Sequence, residues 1–153
     1  MNIYESALTP EVLARLIALS EDWAREDSCR GYRANTEEDV RGNRVFLAEE
    51  DGAVIGYLFG HMETAKDASS VMPEGTPYFE AEELYVVPER RSRGVGAALF
   101  RCAEAAVAPE AEFLLLSTAT KNSRAILHFY LDELGMTFWS ARLFKRLGGA
   151  ERQ

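Results

Sequence analysis

The residues best equipped for chemistry stand together in the run Arg90-Arg91-Ser92-Arg93-Gly94-Val95-Gly96. Leu84-Tyr85-Val86-Val87 before them reads as a strand, Pro88 as a turn, and residues 97–107 after them as a helix. The first N–H groups of a helix lack internal partners and its dipole adds positive potential, so such a terminus suits a phosphate or pyrophosphate. Gly94 and Gly96 would let the backbone approach that group closely. Three arginines crowd the spot in a chain whose formal net charge is −8. The combination points to an anionic ligand. It lacks the lysine of a P-loop, and Leu99 stands where a dinucleotide fingerprint needs a third small residue.

Other reactive side chains are sparse. His61 and His128 each read as a surface or hydrogen-bonded histidine. Cys29 and Cys102 make no disulfide framework, and no Cys/His set has zinc spacing, so no metal site is expected.

The elements that must hold the glycine turn follow from periodicity. Thr9-Pro10-Glu11 predicts a capped helix to about Arg25, and residues 35–39 a second short helix. Residues 45–48 and 54–59 flank Asp51-Gly52, a hairpin signal. Residues 63–77 are polar and read as a surface loop of a length that is often functional. Strand 79–87, helix 93–107 and strand 113–118 form one right-handed parallel crossover. Residues 122–134 predict an amphipathic helix stopped by Gly135, and 136–147 one or two closing strands turning near Ser140. No linker divides the chain, so residues 1–153 are expected to form a single α/β (α+β) domain. Its sheet should be mixed and mostly antiparallel, with about four helices.

Composition narrows the class further. Residues are 47% hydrophobic and 27% charged, as in ordinary globular proteins. No apolar run approaches the ~20 residues of a bilayer span, and the first residues lack signal-peptide character, which predicts a reduced cytoplasmic protein. The acidic balance argues against nucleic-acid binding and favours a cationic second substrate.

Two separated signatures resemble the GNAT superfamily of acyl-coenzyme A-dependent N-acetyltransferases. Arg91-Ser92-Arg93-Gly94-Val95-Gly96 is similar to its Arg/Gln-x-x-Gly-x-Gly/Ala motif. Asn122, Ala125, Phe129, Tyr130 and Gly135 follow its later Asn-x-x-Ala-x-x-x-Phe-Tyr-x-x-x-x-Gly pattern. The resemblance implies acetyl-coenzyme A as acyl donor, its pyrophosphate held by the backbone from Arg91 through Ala97, including Ser92, Arg93, Val95 and Gly96. It implies a pantetheine arm along Leu84, Val86 and Val87, an oxyanion-type N–H near Val86, and Asn122 bonding the pantetheine or capping its helix.

The same resemblance implies a glutamate base for the attacking amine, at Glu82 or at Glu80, and Tyr130 as the acid for the departing thiolate. Regular alternation along the strand would place Glu80, Glu82 and Leu84 on one face and Glu83 on the other. Tyr130 also falls on one helical stripe with Ile126 and Leu134, so its ring can pack as well. Trp23, Tyr32, Tyr78 and Phe79 could wall an acceptor site. Glu21, Asp22, Glu26, Asp27, Glu37, Glu38, Asp39, Asp67 and Glu74 could give it an acidic rim.

The expected function is therefore acetyl transfer to a primary amine of a small cationic molecule (polyamine- or aminoglycoside-like) or of a protein. Transfer should be direct, within a ternary complex, by a homodimer of the family type. Two other readings compete: a non-catalytic acyl-coenzyme A-binding sensor or regulatory module, and a nucleotide-binding α/β domain.

Overall fold

Thr9 caps the first helix as its position predicts. Its Oγ1 accepts from the Val12 N–H at 3.1 Å, and Pro10 opens α1 (Pro10–Glu26). In the computed structural model, which describes residues 1–148, α1 and the short α2 (Glu37–Val40) cover one face of a five-stranded sheet. The strands are β1 (Asn2–Ser6), β2 (Arg44–Glu50), β3 (Ala53–Thr64), β4 (Pro77–Val86) and β5 (Phe113–Leu115), in that spatial order. β1 through β4 pair antiparallel, and β5 runs parallel to β4 after the crossover helix α3 (Val95–Val107). The expected mixed, mostly antiparallel sheet is present, with α4 (Ser123–Leu127) as the fourth helix.

Period-two patterning builds two cores, one on each face. Phe46, Ala48 and Leu58 pack with Phe79, Leu99 and Ala103 beneath α3. Val45, Leu47, Tyr57 and Phe59 pack with Leu13, Leu16 and Leu19 beneath α1. Both faces of β2 and β3 are thus covered, which fixes their register against a one-residue slip.

Several expectations change. β1 was not foreseen, since Ile3 and Tyr4 alone give little alternation. The hairpin at Asp51 and Gly52 forms, both with positive φ, but β3 continues to Thr64. The loop that remains is pinned at its ends by the Ala65 N–H on the Thr76 carbonyl and filled by buried Met72. The strand expected over 113–118 stops at Leu115. The helix expected over 122–134 is α4 followed by a π-helical turn, His128–Glu133, where Leu134 N–H reaches back to Phe129 O. Residues 136–147 form no strand. After the bond from Met136 N–H to Tyr130 O, the tail makes no main-chain hydrogen bond among the described residues.

Candidate active site

β4 carries one residue more than its partner. Pairing with β3 runs Gly56↔Val86, Tyr57↔Tyr85, Leu58↔Leu84 and Phe59↔Glu83, then resumes at Gly60↔Ala81. Glu82 is the extra residue of a β-bulge, which bends a strand and re-aims its side chains. Strict alternation fails here. Phe79, Ala81, Leu84 and Val86 join the α3 core, while Tyr85 packs on the α1 side. Glu83 lies with Tyr85, bonded to Tyr32 and Tyr57. Glu80 and Leu84 therefore do not share a face, as regular alternation would have required. Gly60 permits the bulge, because a Cβ there would sit 2.1 Å from the Glu80 carbonyl oxygen.

The same strand has an open polar edge. Val87 N–H donates to Ile55 O at 2.9 Å, so in an antiparallel ladder the Tyr85 and Glu83 N–H groups also face β3. Leu84 and Val86 then direct their N–H groups to the opposite side. There β5 has already ended, having paired only with Tyr78, Phe79 and Glu80. From that side the Arg91 Nε donates to Val86 O at 2.8 Å, while its Nη2 pairs with Glu26 and its guanidinium lies over the Tyr85 ring.

A cleft of about 270 Å³ lies beside the bulge, lined in part by Tyr32, Arg33, Asn35, Asp39, Glu82 and Glu83. Glu83 Oε1 accepts from Tyr57 at 2.8 Å, Asn35 Nδ2 at 2.9 Å and Tyr32 at 3.1 Å. Burial raises the Glu83 carboxyl above its ordinary value, against the pull of these three donors, and burial also raises both phenols. Tyr32 packs on Trp23, ring centres 4.4 Å apart, and Trp23 stacks on Tyr85 at 5.2 Å. Glu82 Oε2 lies 2.9 Å from His61 Nε2, and His61 Nδ1 lies 3.3 Å from Glu63. Glu80 is raised by burial and then by Glu82. His61, Glu80 and Glu82 each offer an atom within 4.8 Å of the others.

At the glycine turn Ser92 and Gly94 both adopt positive φ, +62° and +82°, and no atom crowds a Cβ position at Gly94. Val95, Gly96 and Ala97 supply the free first-turn N–H groups of α3. The Arg91 N–H is not among the free donors, since it bonds to Pro88 O. Arg90 is paired with Glu50 and Arg91 with Glu26, which leaves exposed Arg93 as the turn's unpaired guanidinium among the described residues. Tyr130 lies half-buried on the π-helical turn against Phe129 and Phe100, and burial pushes its phenol up to about 12, with Cys29 adding to the rise.

The sequence matches the profile of the acetyltransferase (GNAT) family over residues 13–136, most of the chain. The protein belongs to the GNAT family. It is an acyltransferase by that membership. No curated protein matches the sequence. Among solved structures, an aminoglycoside antibiotic 6'-N-acetyltransferase from Acinetobacter haemolyticus is similar at 19% identity and TM-score 0.65, covering 98% of this chain and 100% of the other. A ribosomal-protein-alanine N-acetyltransferase from Brucella melitensis matches at 15% identity and TM-score 0.67, covering 95% and 100%. An aminoglycoside acetyltransferase from an uncultured soil metagenomic sample, solved with trehalose, matches at 16% and 0.69, covering 96% of each. At such identities these likenesses concern the fold.

In this GNAT chain the bulge brings Glu82 and Glu83 to the cleft and leaves Glu80 beside His61. Of the four aromatics expected to wall an acceptor site, Tyr32 lines the cleft and Trp23 packs on it, while Phe79 is fully buried under α3. Tyr78 is also displaced, pairing with Phe113 at the β5 end. Much of the expected acidic rim is neutralised internally: Asp22 by Arg25, Glu26 by Arg91, Asp27 by Lys121, Glu37 by Arg41 and Asp39 by Arg33. Glu74 is turned into its own loop, accepting from the Asp67 N–H. Asn122 occupies the N-cap position of α4 with no side-chain capping bond. Sequence reasoning missed Asn35, Tyr57 and the attachment of His61 to Glu82. It also set Glu83 aside, because no local signal announces the bulge.

No helix among the described residues is long and apolar enough to cross a membrane.

Proposed function

We propose that this protein is an acetyl-coenzyme A-dependent N-acetyltransferase acting by direct transfer to a primary amine of a small cationic molecule of polyamine or aminoglycoside type, or of a protein. One observation supports this best: the open N–H edge at Leu84 and Val86 and the carboxylates Glu82 and Glu83 meet at a single bulge. Donor and acceptor could therefore approach from opposite sides of one strand.

The residues suit each part of the donor. The curled turn converges the Gly94 to Ala97 N–H groups on a pyrophosphate, with Arg93 adding charge and Gly94 leaving its surface clear. Leu84, Val86 and Val87 present main chain to an amide-bearing arm, and the Val86 N–H is aimed to polarise a thioester carbonyl. The donor supplies the activated acetyl group. Arg91 would release Val86 O and stay on Glu26, since both contacts are exposed.

An ammonium must lose a proton before it attacks. Glu82 takes it, and His61 followed by Glu63 leads it to solvent. Glu83, fixed through one oxygen by three donors, anchors a second positive charge of the acceptor with the other. Tyr130 remains protonated at working pH and supplies a proton to the departing thiolate.

The test is thermal shift with acetyl-coenzyme A, coenzyme A, ATP and NAD, followed by thiol release against monoamines, polyamines, aminoglycosides and lysine peptides. Acetyl-coenzyme A should stabilise the protein, and a cationic amine should release thiol. Glu82→Gln should lower kcat about 10²-fold or more. Glu83→Gln should raise KM for polycations while sparing monoamines. Stabilisation by ATP or NAD alone, or no release on any amine, would overturn the reading.

A further inference from the structure

β3 and β4 gather a set of ligand atoms that spacing along the chain does not reveal. His61 pairs across the ladder with Glu80, and the bulge residue Glu82 follows on the same strand. Met62, Phe79 and Ala81 pack toward the α3 core, so His61 and Glu80 turn to the opposite face, where Glu82 reaches them. One atom from each of His61, Glu80 and Glu82 lies within 4.8 Å of the other two. His61 Nε2 is the ring atom turned to Glu82, at 2.9 Å, while Nδ1 faces Glu63 at 3.3 Å. Among the described residues no lysine or arginine pairs with Glu63, Glu80 or Glu82.

This set differs from a solvated acidic patch in three respects. Its imidazole is oriented: a metal-bound histidine gives its other ring nitrogen to a carboxylate or carbonyl, which fixes the ring, and Glu63 stands in that position. Its side chains come from two paired strands, which hold a site more closely than loops do. Its charge is unbalanced, since one imidazole carries at most one positive charge against three carboxylates. A divalent ion supplies what is missing. Imidazole with carboxylates suits zinc and its first-row neighbours, whereas magnesium prefers oxygen ligands and keeps its own waters. Three protein ligands leave the remaining position of a zinc ion open to solvent.

We propose that His61, Glu80 and Glu82 bind a divalent first-row transition ion of the zinc type, with Glu63 holding His61, and that occupancy switches the enzyme off. The switch rests on the role proposed above for Glu82, because a lone pair given to the ion is withdrawn from the ammonium proton. His61 is lost as the outlet for that proton in the same event. Glu82 also lines the cleft, so the ion places positive charge where a cationic acceptor would enter.

Binding is measured first, on the full chain freed of metal by a chelator. Calorimetric titration with zinc should give one ion per chain, and cobalt should match it with the visible absorption of a low-coordinate ion. Excess magnesium should not compete. His61→Ala should abolish this binding, and Glu80→Gln and Glu63→Gln should each weaken it about tenfold or more. His128→Ala, and Cys29→Ser with Cys102→Ser, should retain it, and circular dichroism checks that every variant folds. No saturable binding at micromolar zinc, or binding that survives His61→Ala, would overturn the site. The switch is then measured on an amine that the protein acetylates, with the product quantified by chromatography because zinc also binds the released thiol. Zinc should lower kcat/KM, EDTA should restore it, and Glu80→Gln should need about tenfold more zinc for the same loss. Binding at His61 without inhibition would overturn the switch and keep the site. Were no amine acetylated, the catalytic reading and the switch would fall together, while the variant pattern in zinc binding would still decide the site.

Discussion

At the residue scale, two groups carry different burdens. Tyr130 has its phenol raised to about 12 by burial, so it stays a proton donor across the working range. Tyr130→Phe should lower kcat about 10²-fold while acetyl-coenzyme A still raises the melting temperature. An unchanged kcat would remove the tyrosine from proton transfer and favour a binding module. Glu83 is a second case. Its folded-state value is raised, so the folded protein holds that proton at pH values where the unfolded chain has lost it. The stability it contributes is complete below the unfolded value and is lost as pH rises through the folded one. Glu83→Gln keeps an acceptor for Tyr32, Tyr57 and Asn35 and removes the buried charge. Its melting temperature should therefore gain on wild type as pH is raised from 4 to 7.5; a constant or shrinking difference would contradict the assignment.

At the element scale, the bulge in β4 is the controlling device. A Cβ at residue 60 would overlap the Glu80 carbonyl and approach Ala81 Cα at 2.9 Å, so it collides with backbone that cannot swing aside. Gly60→Ala should cost about 3 kcal/mol of stability, measured by urea unfolding, with Glu82 displaced and turnover lost. A stable, active variant would show that the bulge does not set the site. This element also divides what could be read in advance. The strand, turn and helix around Gly94 were legible because glycine, proline and an apolar helix face are local signals. The faces of Glu80, Glu82 and Glu83 were not, since alternation is a local rule and the bulge is fixed by packing across β3. Phe79 was misassigned for the same reason. The end of β5 at Leu115 and the free tail were equally hidden, because strand length depends on a partner rather than on composition.

At the scale of the whole molecule, most of the topology followed from periodicity, while the distribution of charge did not. The chain is acidic overall, but several of its rim carboxylates are paired with neighbouring arginines. One chain of contacts also spans the fold. Arg91 lies over Tyr85, Tyr85 stacks on Trp23, Trp23 packs on Tyr32, and Tyr32 donates to Glu83. The glycine turn and the cleft beside the bulge therefore share a wall. A guanidinium that shifts at one end alters the ring on which the other end leans, so the two ligands should not bind independently. Calorimetric titration of an amine with and without coenzyme A should show different affinities, and linkage requires the same ratio when the order is reversed. Equal affinities would mean that the aromatic stack is only a wall. Unequal ones would mean that the two ligands assemble cooperatively, coupled through the five side chains of this stack.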